Sequence, residues 1–311
     1  MDDLEKLKIG VVAGGISSER EISLKSGRAV HESLSKHGFS SKLIDIKSQE
    51  KLKSSETYKG LDLVFIMIHG KGGEDGEIQS ILEAAKIKYT GSDSTSSLNA
   101  FDKLESKEIF EKNGLEVPLR IMLQHSPPEK YGIVIKPVRE GSSFGVSIIK
   151  SWWDFEKRRP SLETEEALKE AQKYGDEVLI EEFIEGKELT VAIVGESTYP
   201  AIEIISPNEF YDFSAKYDGV GTKYIPANLS STETKKLSEI CLKAFKSLGC
   251  SGWGRVDLIK SKNDGISYIL EVNTVPGMTE TSLVPKSSHL SGISYLELLE
   301  SIMDDALAKK A

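Results

Sequence analysis

The first ninety residues alternate short apolar runs with glycine-rich or polar turns. The first run, residues 8–13, ends at Gly14-Gly15, and apolar residues then recur at roughly helical spacing up to Gly38. Further runs predict two strands and a helix, at residues 43–46, 61–68 and 78–85. Strand, glycine turn and helix in this order are typical of a doubly wound α/β unit. The pattern therefore predicts an N-terminal α/β domain of about 90 residues.

From residue 92 the chain changes to charged helices and paired strands. The spacing predicts helices at 99–113, 163–174 and 233–248, and strands at 131–137, 146–149, 178–184 and 189–194. The helix at 233–248 is the last one predicted; Ser230 and Glu233 form a capping box at its start, and Gly249 ends it. A polar stretch without periodicity, residues 208–228, is too long for an ordinary connection and is a candidate lid.

Two apolar runs flank a polar Asp-Gly turn near the C-terminus and predict a β-hairpin. Counting outward from a turn centred near Asp264 places Asp257 opposite Glu271, and Asn273 projects from the same strand face as Glu271. Three oxygen ligands of this kind suit Mg²⁺ that is carried with substrate phosphates. The alternative is a solvated hairpin face. The Asn-Thr-x-Pro-Gly run that begins at Asn273 favours the metal site, because an exposed hairpin does not need it.

The composition is that of a globular protein without a membrane or nucleic-acid signature. The 311 residues are 39% hydrophobic and 29% charged, and 40 basic against 49 acidic residues give a net charge of −9, which argues against a broad nucleic-acid footprint. The N-terminus is charged and is not expected to be a signal peptide, and no stretch has the length of a membrane span. Cys241 and Cys250 are expected to be reduced packing residues. A cytoplasmic protein is predicted.

Two familiar phosphate-binding motifs are missing from the sequence. There is no G-x-x-x-x-G-K-[ST], and Gly14-Gly15 lacks the G-x-G-x-x-G spacing, so a P-loop kinase and a dinucleotide-binding site are both disfavoured. The Gly/Ser loop at 141–145 could lay backbone N–H groups over a triphosphate, and Lys136 on the strand before it could reach the same phosphates. Residues 179–184 fit either an adenine pocket or a core strand, and the residues alone leave both open.

As a set, these residues resemble the D-alanine–D-alanine ligases of the ATP-grasp superfamily. The matching segments, in chain order, are residues 14–27, 69–76, 136–146, 211–217, 252–257 and 271–285. One departure is Phe213, where the family pattern has a second Tyr; another is an abbreviated stretch between Val117 and Tyr131. The resemblance implies a mixed α/β fold: an N-terminal Rossmann-like preATP-grasp domain at 1–91, then a two-lobed ATP-grasp fold with subdomains at 92–184 and 185–311, the latter carrying the 208–228 lid.

The resemblance also implies the reaction and the nucleotide site. It implies ATP-dependent ligation of two D-alanines through an acyl phosphate, for peptidoglycan precursor synthesis, by a homodimer. Mg²⁺, as two ions for which Mn²⁺ can substitute, would be held by Asp257, Glu271 and Asn273. The nucleotide contacts carried over are phosphate binding by Lys103, Lys136, Ser142 and Ser143, adenine binding by Glu181, Glu182, Phe183 and Ile184, and ribose binding by Glu188.

Substrate roles are carried over in the same way. Glu19 would bind the ammonium of the first D-alanine, with His69 close by; a first-turn acid favouring the helix dipole is the alternative for Glu19. Arg255 and the Gly277 amide would stabilise the oxyanion. The remaining implied residues are Ser282 and Leu283 for the carboxylate of the second D-alanine, and Ser143, Lys216 and Tyr217 for the closed lid.

Two competing functions follow from the same sequence. A D-alanine–D-lactate ligase, or another ATP-grasp carboxylate ligase, would use the same elements; Tyr217 favours the amide-forming enzyme, because the ester-forming relatives carry a different residue there. A nicotinamide-linked oxidoreductase would explain the α/β start, but it would leave the predicted metal ligands without a role.

Overall fold

The computed structural model describes residues 4–124, 131–206 and 221–309. The predictions for Lys216 and Tyr217, the matching segment at 211–217, and the part of the predicted lid before residue 221 lie outside the described residues.

The N-terminal region is a parallel four-stranded sheet flanked by helices, in the strand order β2-β1-β3-β4. Its elements are β1 (Ile9–Gly14), α1 (Arg20–Lys36), β2 (Ser41–Ile46), α2 (Gln49–Lys53), β3 (Leu63–Ile66), α3 (Glu77–Ala84) and β4 (Lys88–Tyr89). Because β1 and β3 are covered on both faces, all their residues are buried. The predicted strand–turn–helix opening is confirmed. The loops that follow the carboxyl ends of β1 and β3 face the rest of the chain.

The central region carries a small antiparallel sheet in the order β6-β5-β9. Its elements are β5 (Ile133–Pro137), β6 (Ser147–Ile149), a minor hairpin of β7 (Trp153–Asp154) and β8 (Arg159–Pro160), α6 (Leu162–Gln172) and β9 (Val178–Glu182). Strands β5 and β6 are antiparallel, with Ile133 opposite Ile149. This confirms the predicted hairpin around the Gly/Ser loop, and Trp152 and Ala171 lie in the core between this sheet and α6.

The C-terminal region is a six-stranded antiparallel sheet in the order β13-β12-β10-β14-β15, with β11 paired to β10. Its strands are β10 (Gly186–Val194), β11 (Ser197–Thr198), β12 (Ile202–Ile205), β13 (Lys223–Pro226), β14 (Trp253–Ser261) and β15 (Ser267–Asn273). Helix α7 (Ser231–Ser247) packs on it, and the predicted capping box between Ser230 and Glu233 is present. The predicted hairpin of β14 and β15 is confirmed, with a bulge between Asp257 and Leu258.

Two predictions about helices are wrong. The single helix predicted over 99–113 is two helices, α4 (Ser94–Phe101) and α5 (Lys103–Lys112). Asp102 separates them in an extended conformation, and its carboxylate caps α5 by accepting from the backbone N–H groups of Leu104 and Glu105. The helix at 233–248 is also not the last, because α8 (Leu283–Leu290) and α9 (Tyr295–Ala308) follow it.

Helix α9 returns the chain to its beginning. Its buried residues Leu298, Leu299, Ile302 and Met303 belong to the same core as strands β1 and β3. Val275 and Met278, just after β15, join that core as well. The loop between β15 and α8 is therefore held between the N-terminal and C-terminal sheets. No helix in the described ranges has the length and apolar character of a membrane span.

Candidate active site

The acidic face of the β14–β15 hairpin is assembled as its register predicts. Asp257 lies opposite Glu271, and Arg255 lies opposite Asn273. The Asp257 carboxylate is buried and accepts four hydrogen bonds: Arg255 Nε at 2.8 Å, Arg255 Nη2 at 2.7 Å, Asn273 Nδ2 at 2.9 Å and Thr190 Oγ1 at 2.6 Å. A carboxylate offers about four acceptor positions. Protein donors therefore use all the acceptor positions of the Asp257 carboxylate, and a cation bound there must replace one of these donors.

Glu271 is paired with a lysine that enters from another element. Lys103, the first residue of α5, places Nζ 3.3 Å from Glu271 Oε2 and donates to the backbone oxygen of Glu140 at 2.7 Å. Two carboxylates and one amide thus meet with two basic side chains, Arg255 and Lys103. The oxygen donors fit Mg²⁺, which takes few carboxylates and leaves positions for phosphate. Within the described residues, no three His, Cys, Asp or Glu side chains form a metal cluster, so the site depends on the Asn273 amide.

A cavity of about 240 Å³ lies between the central sheet and the acidic hairpin. Every nucleotide residue implied by the resemblance except Ser142 lines it: Lys103, Lys136, Ser143, Glu181, Glu182, Phe183, Ile184 and Glu188, together with Asp257 and Glu271. The Gly/Ser loop closes one side of it, and Ser142 and Ser143 both adopt left-handed backbone conformations, with φ of 49° and 60°. Such non-glycine conformations carry a cost and are concentrated at ligand sites.

Two residues of this cavity wall, Lys136 and Glu181, form a buried cluster with Lys107, which lies behind the wall. The Glu181 carboxylate receives the ammonium of Lys136 on one oxygen, and Lys107 Nζ lies 2.8 Å from the other oxygen. Burial alone would raise the pKa of Glu181, but the ammonium groups of Lys107 and Lys136 outweigh it and the pKa is lowered. Burial lowers the pKa of Lys107 to about 8 despite Glu181. Lys107 is a residue to which the sequence analysis gave no role.

A second cavity, of about 300 Å³, adjoins the first and has polar walls. It brings together the residues that the resemblance assigns to the substrates: Glu19, His69, Arg255, Gly277, Ser282 and Leu283. Gly141 and Glu271 line both cavities. The two cavities therefore meet at the Gly/Ser loop and the acidic hairpin.

Glu19 presents a buried carboxylate to the second cavity. Ser142 Oγ donates to Glu19 Oε1, whereas Glu19 Oε2 is buried and has no hydrogen-bond partner among the described residues. A Cβ at Gly70 or Gly141 would lie 2.7 Å or 2.8 Å from Glu19 Oε2, so only glycine allows these approaches. A buried anionic acceptor without a donor is suited to an ammonium ligand. Ser142 makes this contact to Glu19, and Ser143 lines the nucleotide cavity.

His69 is the centre of a buried hydrogen-bond chain. Its Nδ1 lies 2.7 Å from the Val275 backbone oxygen, which can only accept, so Nδ1 carries the proton. Nε2 then accepts from Ser26 Oγ at 3.2 Å, and Ser26 Oγ accepts from the Met278 N–H at 3.2 Å. Burial lowers the pKa of His69, which keeps the ring neutral as this chain requires. His69 thereby ties the end of β3 to the loop that carries Gly277.

That loop is fixed by its own hydroxyl groups. Ser282 Oγ accepts from the Thr279 N–H at 3.1 Å and lies 2.8 Å from Thr279 Oγ1. A Cβ at Gly277 would lie 3.0 Å from Ser282 Oγ, which places the Gly277 backbone and the Ser282 hydroxyl side by side in the cavity wall. Leu283 packs on Tyr224, whose ring faces the Lys286 ammonium at 4.3 Å. Tyr224 also lines the cavity and was not anticipated.

Glu74 lies in the matching segment 69–76 and is another residue for which the sequence predicted no role. It lines the second cavity, and Oε2 accepts from the Gly70 N–H at 2.9 Å. Burial, with the neighbouring Glu19 charge, raises the pKa of Glu74 to about 8. The sequence Gly72-Gly73-Glu74 could have indicated this role, because a carboxylate in a glycine-rich loop at the end of a strand is well placed to contact a ligand.

Comparison with known proteins identifies the family to which this site belongs. Residues 99–304 match the family model "D-ala D-ala ligase C-terminus", and residues 46–92 match "D-ala D-ala ligase N-terminus". The chain is 40% identical over 304 residues to a D-alanine–D-alanine ligase of Alcanivorax borkumensis, covering 97% of this chain and 94% of that protein. It is 42% identical over 312 residues to one of Marinobacter nauticus, covering 97% and 92%.

Solved structures agree with this result. The D-alanine–D-alanine ligase of Bacillus anthracis complexed with ATP superposes with a TM-score of 0.81 at 32% identity, covering 97% of both chains. The VanG D-Ala:D-Ser ligase of Enterococcus faecalis superposes with a TM-score of 0.80 at 29% identity, covering 96% of this chain and 99% of that one.

Proposed function

The chain belongs to the D-alanine–D-alanine ligase family of ATP-grasp fold and is an ATP-dependent ligase that forms D-alanyl-D-alanine; on this premise we propose how its two adjoining cavities carry the reaction. The observation that supports the proposal is that Gly141 and Glu271 line both cavities. A phosphoryl group held in the first cavity can therefore meet a carboxylate held in the second without crossing solvent. ATP occupies the first cavity, and the two D-alanines occupy the second.

The first D-alanine is held by its ammonium group at Glu19. The buried Oε2 of Glu19 supplies the acceptor, and Gly70 and Gly141 leave the space around it. Its carboxylate then points toward the shared wall, where ATP phosphorylates it to give D-alanyl phosphate and ADP. Phosphoryl transfer depends on alignment and charge neutralisation more than on covalent help from the protein. Lys103 and Lys136 supply positive charge in the first cavity, which both of them line.

Asp257, Glu271 and Asn273 would hold Mg²⁺ beside the phosphates. When bound, the Mg²⁺ ion would neutralise the charge of the phosphates and align their oxygens. The fit of this site to Mg²⁺ rests on its oxygen donors. It also rests on Arg255 and Lys103, two basic side chains that form ion pairs with the Asp257 and Glu271 carboxylates in the structure. The acceptor positions of Asp257 are full, so one donor would have to give way to an ion; Arg255 is the candidate, because it also lines the second cavity, where its guanidinium can bind the substrate.

The second D-alanine reacts as a free amine. Its nitrogen forms a bond to the acyl carbon, and the resulting tetrahedral intermediate expels inorganic phosphate by breaking the C–O bond. One proton of the amine leaves with the phosphate. Arg255 and the Gly277 N–H stabilise the oxyanion of that intermediate. Ser282 and Leu283 hold the terminal carboxylate of the second D-alanine, since both line the cavity next to Gly277.

The remaining roles concern parts outside the described cavities. Residues 208–228, with Lys216 and Tyr217, form the lid that shields the acyl phosphate from water. The regions 1–91, 92–184 and 185–311 are the three domains. The enzyme acts in the cytoplasm as a homodimer and supplies a peptidoglycan precursor.

The test is formation of product from ATP, Mg²⁺ and D-alanine. We expect release of ADP and phosphate together with D-alanyl-D-alanine in equal amounts, measured by a coupled assay and chromatography. L-Alanine is the matched control and should give neither. Because the chain also resembles a D-Ala:D-Ser ligase, D-serine and D-lactate are added in competition. A mixed product that exceeds the dipeptide at equal concentrations would refute the assignment of the second substrate.

A further inference from the structure

We propose that Lys107, a residue outside the nucleotide cavity, is a positioning residue that keeps the Lys136 ammonium available to the phosphates of ATP by neutralising Glu181. The proposal rests on the assignment of ATP to the cavity lined by Lys136. Lys107 does not line that cavity; it lines a separate surface pocket between α5 and β9. It therefore acts on the nucleotide through Glu181.

The geometry makes Glu181 a shared partner. Its two oxygens are divided between two lysines, Lys136 from β5 on Oε1 and Lys107 from α5 on Oε2, and all three side chains are buried. Burial excludes the water that would otherwise screen these charges. The fold thus pairs the single negative charge of Glu181 with two ammonium groups.

Counting charge shows why the second lysine matters. Glu181 with Lys136 alone is a neutral pair, and a neutral pair attracts phosphate weakly. With Lys107 the cluster has a net charge of +1, and the ammonium that it presents to the cavity is that of Lys136, which lines the cavity together with Glu181. Removing Lys107 would leave Glu181 to hold Lys136 by itself, and a phosphate would then have to compete with a buried carboxylate.

The ionisation of Lys107 gives a readout that a purely structural residue would not. Burial lowers the pKa of Lys107 to about 8, against the opposing effect of Glu181 and with Lys136 and Lys103 adding to the decrease. Lys107 is protonated below this pH and loses its charge above it. The nucleotide affinity of the wild-type enzyme should therefore weaken as the pH rises from 7 to 9.

The experiment measures ADP binding with Mg²⁺ by calorimetry in the full-length protein. Lys107→Met should weaken binding about tenfold, with little change in the half-saturating concentration of D-alanine. In the Glu181→Gln background the same substitution should cost at most about twofold, because no carboxylate remains to capture Lys136. Lys112→Met is the control: Lys112 lies in the same helix and lines the same surface pocket, but it pairs with the exposed Glu108 at 3.3 Å.

An equal loss in both backgrounds would overturn the proposal, because it would mean that Lys107 attracts the nucleotide directly. Binding within about twofold of wild type in Lys107→Met would overturn it as well. If Lys107→Met does not fold, the pH profile decides: wild-type affinity that stays constant from pH 7 to 9 refutes the proposal, and Lys107→Arg, which stays charged, should flatten the profile. A wild-type protein that binds no nucleotide would instead refute the assignment of the cavity to ATP.

Discussion

The hydrogen bond from Thr190 to Asp257 offers a direct measure of how strongly the acidic hairpin depends on its neighbours. Thr190 lies on β10 directly opposite Asp257 on β14, and its hydroxyl donates to Asp257 Oδ1 at 2.6 Å. The substitution Thr190→Val replaces the hydroxyl with a methyl group of similar size and leaves the β-branched shape that the strand accommodates. The change thus removes one donor and little packing.

The magnitude follows from the charge and the burial of the acceptor. A hydrogen bond to a charged group contributes roughly 1.5–3 kcal/mol, and losing one in a buried site lies toward the upper end. Thr190 is 2% exposed and Asp257 is 7% exposed, so water cannot replace the lost donor. Three donors from Arg255 and Asn273 remain on the carboxylate. We expect the free energy of unfolding to fall by about 2 kcal/mol. Mg²⁺-dependent nucleotide binding should weaken about tenfold, the scale at which partners of metal ligands act, because Thr190 orients the Asp257 carboxylate when Arg255 gives way to the ion.

Urea unfolding and calorimetric titration of ADP with Mg²⁺ test both values. Thr190→Ser keeps the hydroxyl and should lie close to wild type in both assays. Thr198→Val is the matched control, because the Thr198 hydroxyl donates to the neutral Ser238 hydroxyl at 2.8 Å in a partly buried position and should cost at most about 1 kcal/mol. A Thr190→Val protein that loses less than the Thr198→Val protein would refute the reasoning that the Asp257 charge sets the cost.

Four further predictions address the site. Glu271→Gln should keep its melting temperature but lose at least about a hundredfold in turnover, and turnover within about threefold of wild type would exclude a metal role. Gly141→Ala should raise the half-saturating D-alanine concentration, because its Cβ would lie 2.8 Å from Glu19 Oε2; unchanged saturation kinetics would contradict this contact. Burial lowers the pKa of His69, so the unfolded chain takes up its proton first and stability should fall as the pH drops below about 6.5; His69→Gln should lessen that fall in urea unfolding, and an unaltered pH dependence would contradict the assignment. Tyr217→Phe should raise the ratio of D-alanyl-D-lactate to dipeptide in a competition assay, and a constant ratio would limit Tyr217 to a structural role in the lid.

Local patterns in the sequence predicted the elements that depend on local physics. The capping box at Ser230, the hairpin register that pairs Asp257 with Glu271, and the first strand–turn–helix unit all follow from residues close to one another in the chain. The predicted helix at 99–113 was wrong because its apolar spacing continues through Asp102, and only the capping geometry of that residue shows the break. Helices α8 and α9 were not predicted at all, although Ser294 and Glu297 form a capping box before α9.

The sequence named residues that lie together at the two cavities, but it did not predict the contacts between them. Motifs named many of the side chains that line the two cavities, but they gave no indication that Lys107 shares Glu181 with Lys136 or that Ser142 contacts Glu19. Those contacts join α5 to β9 and the Gly/Ser loop to α1, over separations that periodicity does not address. Which buried groups form ion pairs also depends on which donors the fold brings close to each carboxylate. A single sequence does not contain that information in a readable pattern.

The long-range contacts explain why the substrate cavity needs both ends of the chain. The hydrogen bonds from His69 to Val275 and from Met278 to Ser26 join residues more than two hundred positions apart, and the core that contains β1 and β3 also contains α9. The loop bearing Gly277 is thus positioned by the N-terminal sheet, while the proposed phosphate site lies at the acidic hairpin that precedes this loop. Helix α9, the first sheet and the loop bearing Gly277 share one hydrophobic core. A substitution in the α9 core should therefore disturb D-alanine binding together with stability, whereas one in the central sheet should affect nucleotide binding first.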